Sequence, residues 1–484
     1  MKKTFLAMTA LAAMLFAGCT SSDEITTLET IKQAENAATP VSFGTYMGRT
    51  TTRATGGAIG NIITDATLQN RGFGVFAYYT GTKTYDQTQY YDGGTIADGN
   101  KLVPNFMWNQ SVTYSGGWTY SPVKYWPNEI QNADVDQQTP AAQGGSNYGG
   151  KLSFFAYAPY LASTSADDGI TGISQKGDKG DPKITYKVGA IANFVDLLWG
   201  TKGSTATSVI SGGDAGNTGV DDNADGQKHY TEALLTGKET NSDLTKQELD
   251  GNVEFAFKHA LAKFGGYEGL EIKVDADAIT DGTLAQTVDG SGNATDGTKV
   301  TVKSITINAK AKNSDASAYY TDQAGTFNLA TGEWNITSST GTVTQAAEWT
   351  YTISGDKLNT AIKDVAGNWG AQPNGVRVAA QKVYSSASVE EPIIFIPGTR
   401  PELTVTVDYM VRTKDNNLDL GYSEVEQIIT RAITFGSVVE LNKYYKLLIR
   451  LGLTEINFNA TVSAWDNASG GGAGTEINLP LNVN

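Results

Sequence analysis

The sequence predicts an all-β fold, and three observations predict it. Glycine, at 54 of 484 residues, recurs often enough to supply closely spaced turns. Threonine and the 23 tyrosines are plentiful, and both suit a pleated, half-buried surface. Apolar residues alternate with polar ones at a period of two in many short segments, and long apolar helical periods are missing.

The N-terminus comes first. Lys2 and Lys3 precede an apolar run from Thr4 to Ala17, and Leu15-Phe16-Ala17-Gly18-Cys19 closes it with small residues before a cysteine. The run is too short and too poorly flanked for a transmembrane helix. The pattern predicts a bacterial lipoprotein signal peptide over residues 1–18, with Cys19 as the lipidated first residue of a surface-anchored protein. Cys19 is the only cysteine, which leaves it no disulfide partner and no Cys-based metal site. A plain secretory signal followed by an incidental thiol is the alternative. Each buried methylene of an acyl chain contributes about 0.8 kcal/mol, so two chains make a stable anchor.

Residues 20–40 are polar and read as a tether, and the acidic start Thr20-Ser21-Ser22-Asp23-Glu24 is similar to an export tag for the outer face of the outer membrane. Val41, Phe43, Thr45 and Met47 then alternate as a short strand, and a Thr- and Gly-rich stretch carrying Arg49 and Arg53 follows. Further strands are predicted at Gly72–Tyr78, Leu152–Ala158, Val253–Phe257 and Val300–Ile307. The cleanest alternation is Leu403, Val405, Val407, Tyr409 and Val411. Ile449, Leu451 and Leu453 repeat it, as do Ile456, Phe458, Ala460 and Val462. Segments near 161–183, 200–250, 275–299 and 308–322 are rich in Gly, Ser, Thr, Asp and Asn and read as long loops or linker. Two tandem β-sandwich domains are expected, over 54–250 and 251–467.

The tail, 468–484, is a separate unit. Ser469-Gly470-Gly471-Gly472-Ala473-Gly474 makes a flexible hinge. Beyond it Ile477, Leu479, Leu481 and Val483 alternate with Asn478, Pro480, Asn482 and Asn484. Burying four such side chains would release on the order of 6–12 kcal/mol before any ordering cost, so this strand needs a groove. Pro480 lacks an N–H, which implies an edge position. The spacing leaves two destinations open: a groove in another molecule, or the last strand of its own C-terminal domain.

A formal net charge of −15 argues against nucleic acid as a partner. His229 and His259 are the only histidines, which gives little material for Ser-His chemistry or a His-rich metal centre. No enzyme and no cofactor are expected. Asp221, Asn223, Asp225-Gly226 and Glu232 fit the spacing of a calcium loop, but Lys228 stands where an apolar residue is usual. A polar loop without metal is the reading adopted. Trp108, Trp118, Trp126 and Trp199 could stack on sugars, though tryptophan in a sandwich is more often core. His259, beside a predicted strand, reads as a hydrogen-bonded structural residue.

Several motifs resemble the fimbrillin family, the pilins of type V pili, in its Mfa-like branch. They are Thr52-Arg53-Ala54 followed by Gly72–Ala77, then Gly117-Trp118-Thr119-Tyr120-Ser121-Pro122 running to Tyr125-Trp126-Pro127. Leu152–Pro159, Val195-Asp196-Leu197-Leu198-Trp199, Val253–Leu261 and Val462-Ser463-Ala464-Trp465 complete the set, in family order. The inserts around 200–250 and 275–325 match nothing in the pattern.

The resemblance implies two tandem transthyretin-like Greek-key β-sandwich domains with a detached C-terminal donor strand. It also implies a subunit, more in keeping with a stalk than a tip, that crosses to the surface as a lipoprotein held in the outer membrane by its acyl chains. An Arg-specific protease would cut after Arg53, or after Arg49, and release the strand of Val41, Phe43, Thr45 and Met47. The strand of Ile477, Leu479, Leu481 and Val483 from another pilus subunit would then replace it. A surface glycan-binding or adhesive tip lipoprotein that never polymerises is the competing expectation.

Overall fold

A computed structural model describes residues 39–46, 65–81, 84–86, 90–92, 95–97, 102–127, 151–162, 169–189, 194–203, 239–244, 252–274, 286–288, 294–342, 348–365, 375–452 and 456–464. Among them the chain is almost wholly β, as the sequence predicts.

The first half contributes β1 (Ser42–Tyr46), the helix α1 (Asp65–Arg71), β2 (Phe73–Gly81), β3 (Met107–Tyr114), β4 (Trp118–Thr119) and β5 (Lys151–Ala158). It continues with β6 (Gly169–Ile173), β7 (Lys183–Lys187), β8 (Leu198–Lys202), β9 (Asn241–Leu244) and β10 (Asn252–His259). Its main sheet has eight strands in the order β1-β10-β8-β5-β2-β3-β4, with β9 beside β5.

The apolar runs in β2 and β5 are continuous because this sheet is covered on both faces. Phe76, Tyr78, Phe155 and Tyr157 point into one core, while Phe73, Val75, Ala77, Phe154 and Ala156 point into another. The second of these cores is closed by Leu68 of α1, Met107 and Trp126, and by Val41 and Phe43 of the first strand segment.

From the second half come β11 (Ala262–Phe264), β12 (Leu270–Val274), β13 (Ala294–Lys312), β14 (Ala324–Asn328), β15 (Trp334–Ile336) and β16 (Trp349–Ser354). After them lie β17 (Ile393–Phe395), β18 (Arg400–Lys414), β19 (Tyr422–Thr434), β20 (Lys443–Leu451) and β21 (Ile456–Ala464). A six-stranded sheet built on β12, β20, β11, β17 and β21 shares one core with a seven-stranded sheet built on β16, β13, β18 and β19. The alternation seen at 403–411 is the inward face of β18: Leu403, Val405, Val407 and Tyr409 are all fully buried.

The two halves are interlocked rather than strung together. The hairpin β14–β15 leaves the second half and pairs through β14 with β7, giving the four-stranded sheet β15-β14-β7-β6. This sheet closes the core of Phe155 and Tyr157 with Phe327 and Leu329. Trp199 Nε1 donates to Leu329 O at 2.8 Å, and Trp334 Nε1 donates to Ala260 O at 2.7 Å.

Three expectations are corrected. The boundary expected between 250 and 251 falls inside the first sheet, since β9 and β10 both belong to it. The span 161–183 expected as loop contains β6, whose Ile170 and Ile173 are buried. The polar spans 275–299 and 308–322 hold both ends of β13, which pairs with β18 from Thr298↔Thr413 to Lys312↔Arg400. In β6 and at the two ends of β13, main-chain ladder bonds hold residues that a Gly-, Thr- and Asp-rich composition alone reads as loop.

Candidate functional site

Residues 39–46 occupy a slot along the edge of the first sheet. Strand β1 runs parallel to β10, with Ser42 opposite Asn252, Phe43 opposite Val253 and Thr45 opposite Phe255. It is the one parallel pairing in a sheet otherwise built of antiparallel ladders among the described residues.

On its other side the segment is held by residues 118–126. Val41 N–H donates to Lys124 O and Trp126 N–H donates to Thr39 O, each at 2.9 Å, and Pro40 bridges Tyr125. The Tyr120 hydroxyl donates to Val41 O at 2.9 Å, and burial raises its pKa, which keeps it a donor. Trp118 Nε1 donates to Thr45 Oγ1 at 2.9 Å.

Period-two alternation decides which side chains enter the slot. Val41 and Phe43 are buried at 2% and 6% exposure, while Ser42 between them is exposed. Phe43 sits in an aromatic cage, its ring centroid 5.3 Å from Tyr120, 5.9 Å from Phe255, 6.0 Å from Phe154 and 6.1 Å from Phe73. Gly44 passes close to Glu254, where an added Cβ would stand 3.2 Å from Glu254 Cγ. Tyr114, Val123 and Tyr125 lie nearby in sequence to this clamp and are exposed at 40%, 48% and 52%.

Chemically the slot is built to hold a strand: the ladder edge of β10 on one side, a second line of acceptors and donors on 120–126 on the other, and an apolar cage at the Phe43 position. The clamp at 118–126 is not legible as such in the sequence, although Trp118, Tyr120 and Trp126 stand out as an unusual density of aromatic residues.

Of the predicted site residues, Val41, Phe43 and Thr45 come together in this slot. Met47, Cys19, Arg49, Arg53, the tail strand of Ile477, Leu479, Leu481 and Val483, and the 221–232 loop lie outside the described residues. The tryptophans are core or core margin: Trp126 and Trp199 are buried, and Trp108 and Trp118 are half-buried with Trp108 Nε1 donating to Ser174 O. They do not form an exposed sugar platform. His259 is buried with Nδ1 3.0 Å from Asp196 Oδ1, and its N–H donates to Asn442 Oδ1, so it joins the two halves.

No protein-family profile matches this chain, and no curated protein matches it. Solved structures do. A fimbrial protein from Bacteroides vulgatus aligns with 19% identity and a TM-score of 0.53, over 88% of this chain and 99% of that one. A candidate cell adhesion protein from Bacteroides uniformis aligns with 14% identity and a TM-score of 0.33, over 88% and 99%. One from Bacteroides ovatus gives 11% identity and a TM-score of 0.36, over 89% and 99%. The chain thus has the all-β fold of the Bacteroides vulgatus fimbrial protein along nearly its whole length.

Proposed function

We propose that this chain is a structural subunit of a surface fimbria, a stalk pilin that polymerises by strand exchange into the slot now filled by β1. The observation that carries the reading is the slot itself: a short N-terminal segment, 39–46, fills an aromatic groove in a parallel edge position and is followed by Arg49 and Arg53. A cut after either arginine would separate β1 from the rest of the chain and leave the groove open. The fold shared with a fimbrial protein supports the same reading.

Burying the four apolar side chains of 477–483 in the slot would release on the order of 6–12 kcal/mol before any ordering cost, which supports the tail as the incoming strand. The incoming strand would also take over main-chain bonds of β10 and 120–126, less the one that Pro480, which lacks an N–H, cannot donate. Before cleavage, acyl chains on Cys19 would hold the precursor in the outer membrane, and afterwards only strand exchange would hold the subunit in the fibre.

Deleting residues 475–484 tests the donor. Surface fibres should be lost while the truncated protein remains folded and exported. Fibres of ordinary length from the truncated chain would rule out the tail as donor.

A further inference from the structure

We propose that the cavity beside Tyr85, on the face of the first sheet opposite the slot, binds a neutral saccharide. The two sites are served by successive residues of β5: Phe154 faces the slot and Phe155 lines the cavity. The cavity therefore persists whether β1 or another strand fills the slot, and sugar binding and fibre assembly are separable properties.

The cavity has a volume of about 470 Å³, within the usual range for small-molecule sites. Residues from five separate segments meet in it, including Asp181, Ser242 and, from the turn of the β14–β15 hairpin, Thr331. Its centre is held rigidly. The Tyr85 hydroxyl donates to Asp181 Oδ1 at 3.0 Å, and Tyr85 N–H donates to Asp243 Oδ1 at 2.7 Å. The ring of Tyr85 packs 5.0 Å from Phe155, and Asn328 Nδ2 donates to Asp181 Oδ2 at 2.8 Å. Asp243 reaches its place through a bulge in β9, at a φ of 57°.

That combination selects a ligand class. Carboxylate oxygens accept hydrogen bonds from vicinal hydroxyls, Ser and Thr hydroxyls both donate and accept, and an aromatic ring offers an apolar face to a sugar's C–H groups. Asp86, Asp181 and Asp243 contribute three carboxylates and, among the described residues, no Lys, Arg or His lines the cavity, so an acidic sugar would be repelled.

Saturation-transfer NMR on the full chain tests this with D-galactose, D-mannose, N-acetyl-D-glucosamine and N-acetylneuraminic acid as probes. At least one neutral sugar should show transfer, and N-acetylneuraminic acid should show none. Thr331→Trp, at an exposed turn position, should abolish the transfer. Asp243→Asn tolerates the same backbone conformation and should weaken affinity about tenfold, the loss of one charge-assisted acceptor. Silence from all three neutral sugars, equal transfer from N-acetylneuraminic acid, or transfer that survives Thr331→Trp would overturn the proposal. The comparison of neutral and acidic sugars on the unaltered chain needs no variant to fold.

Discussion

Phe43 stacks on Phe255, a neighbour of its ladder partner on β10, with ring centroids 5.9 Å apart and planes inclined by 27°. This contact ties an N-terminal strand to a strand more than two hundred residues away in sequence. It also lies where a donor strand would have to compete.

Phe43→Ala should therefore loosen the first strand more than any other change in the segment. Removing the ring from its cage of Phe73, Tyr120, Phe154 and Phe255 should cost about 3–5 kcal/mol in the uncleaved protein. Thermal unfolding should register the loss, and proteolysis near Arg49 and Arg53 should be faster. An unchanged melting temperature would mean that β1 contributes little to the fold.

Arg53→Ala should leave full-length lipidated protein on the surface without fibres. Mass spectrometry of the surface protein reads the outcome: Ala54 at the N-terminus marks a processed subunit, and acylated Cys19 a retained precursor. If cleavage persists, Arg49 is the site. If the double substitution also leaves assembly intact, the proteolytic step is wrong.

Gly332→Ala should damage the interlock between the halves. Gly332 has φ of 71°, and a Cβ there would stand 2.2 Å from Trp199 Cη2. Left-handed backbone and a ring clash act together, so a loss of at least about 2 kcal/mol is expected. The tryptophan emission spectrum should shift as Trp199 loses its packing on the hairpin turn.

Lys258 on β10 is buried, and burial lowers its pKa to about 8. The folded state thus binds fewer protons than the unfolded chain between pH 8 and the usual lysine range, so stability should rise as pH climbs from about 8 toward 10. Lys258→Met should flatten that rise and stabilise the protein at neutral pH relative to the unaltered chain. Above pH 10 the sign reverses. Burial raises the pKa values of Tyr78, Tyr85, Tyr157 and Tyr384, so their contribution is lost as the unfolded chain ionises first. Denaturant titrations across this range, on both proteins, measure the two limbs.

The strands with strong apolar alternation or continuous apolar runs were legible because burial itself writes those patterns. β2, β5, β10 and β18 all lie where sequence reading puts them. β7 could have been read too, since Ile184 and Tyr186 alternate cleanly and are fully buried, but the Gly- and Asp-rich residues before it suggest loop. β6 and the ends of β13 carry too few apolar side chains to announce themselves. Their stability comes from ladder bonds, β6 to the next strand β7 and β13 to β18, which is remote in the chain.

By itself the sequence determined the all-β class and the short alternating segment at Val41, Phe43 and Thr45, since both follow from local composition and period. Tertiary structure alone decided that β1 pairs in parallel with β10 beneath a clamp of Trp118 and Tyr120. It alone decided that a hairpin from the second half completes the first sandwich. Local pattern specifies which face of a strand is buried, but the choice of neighbour rests on long-range packing among several apolar edges, and no single segment contains that information.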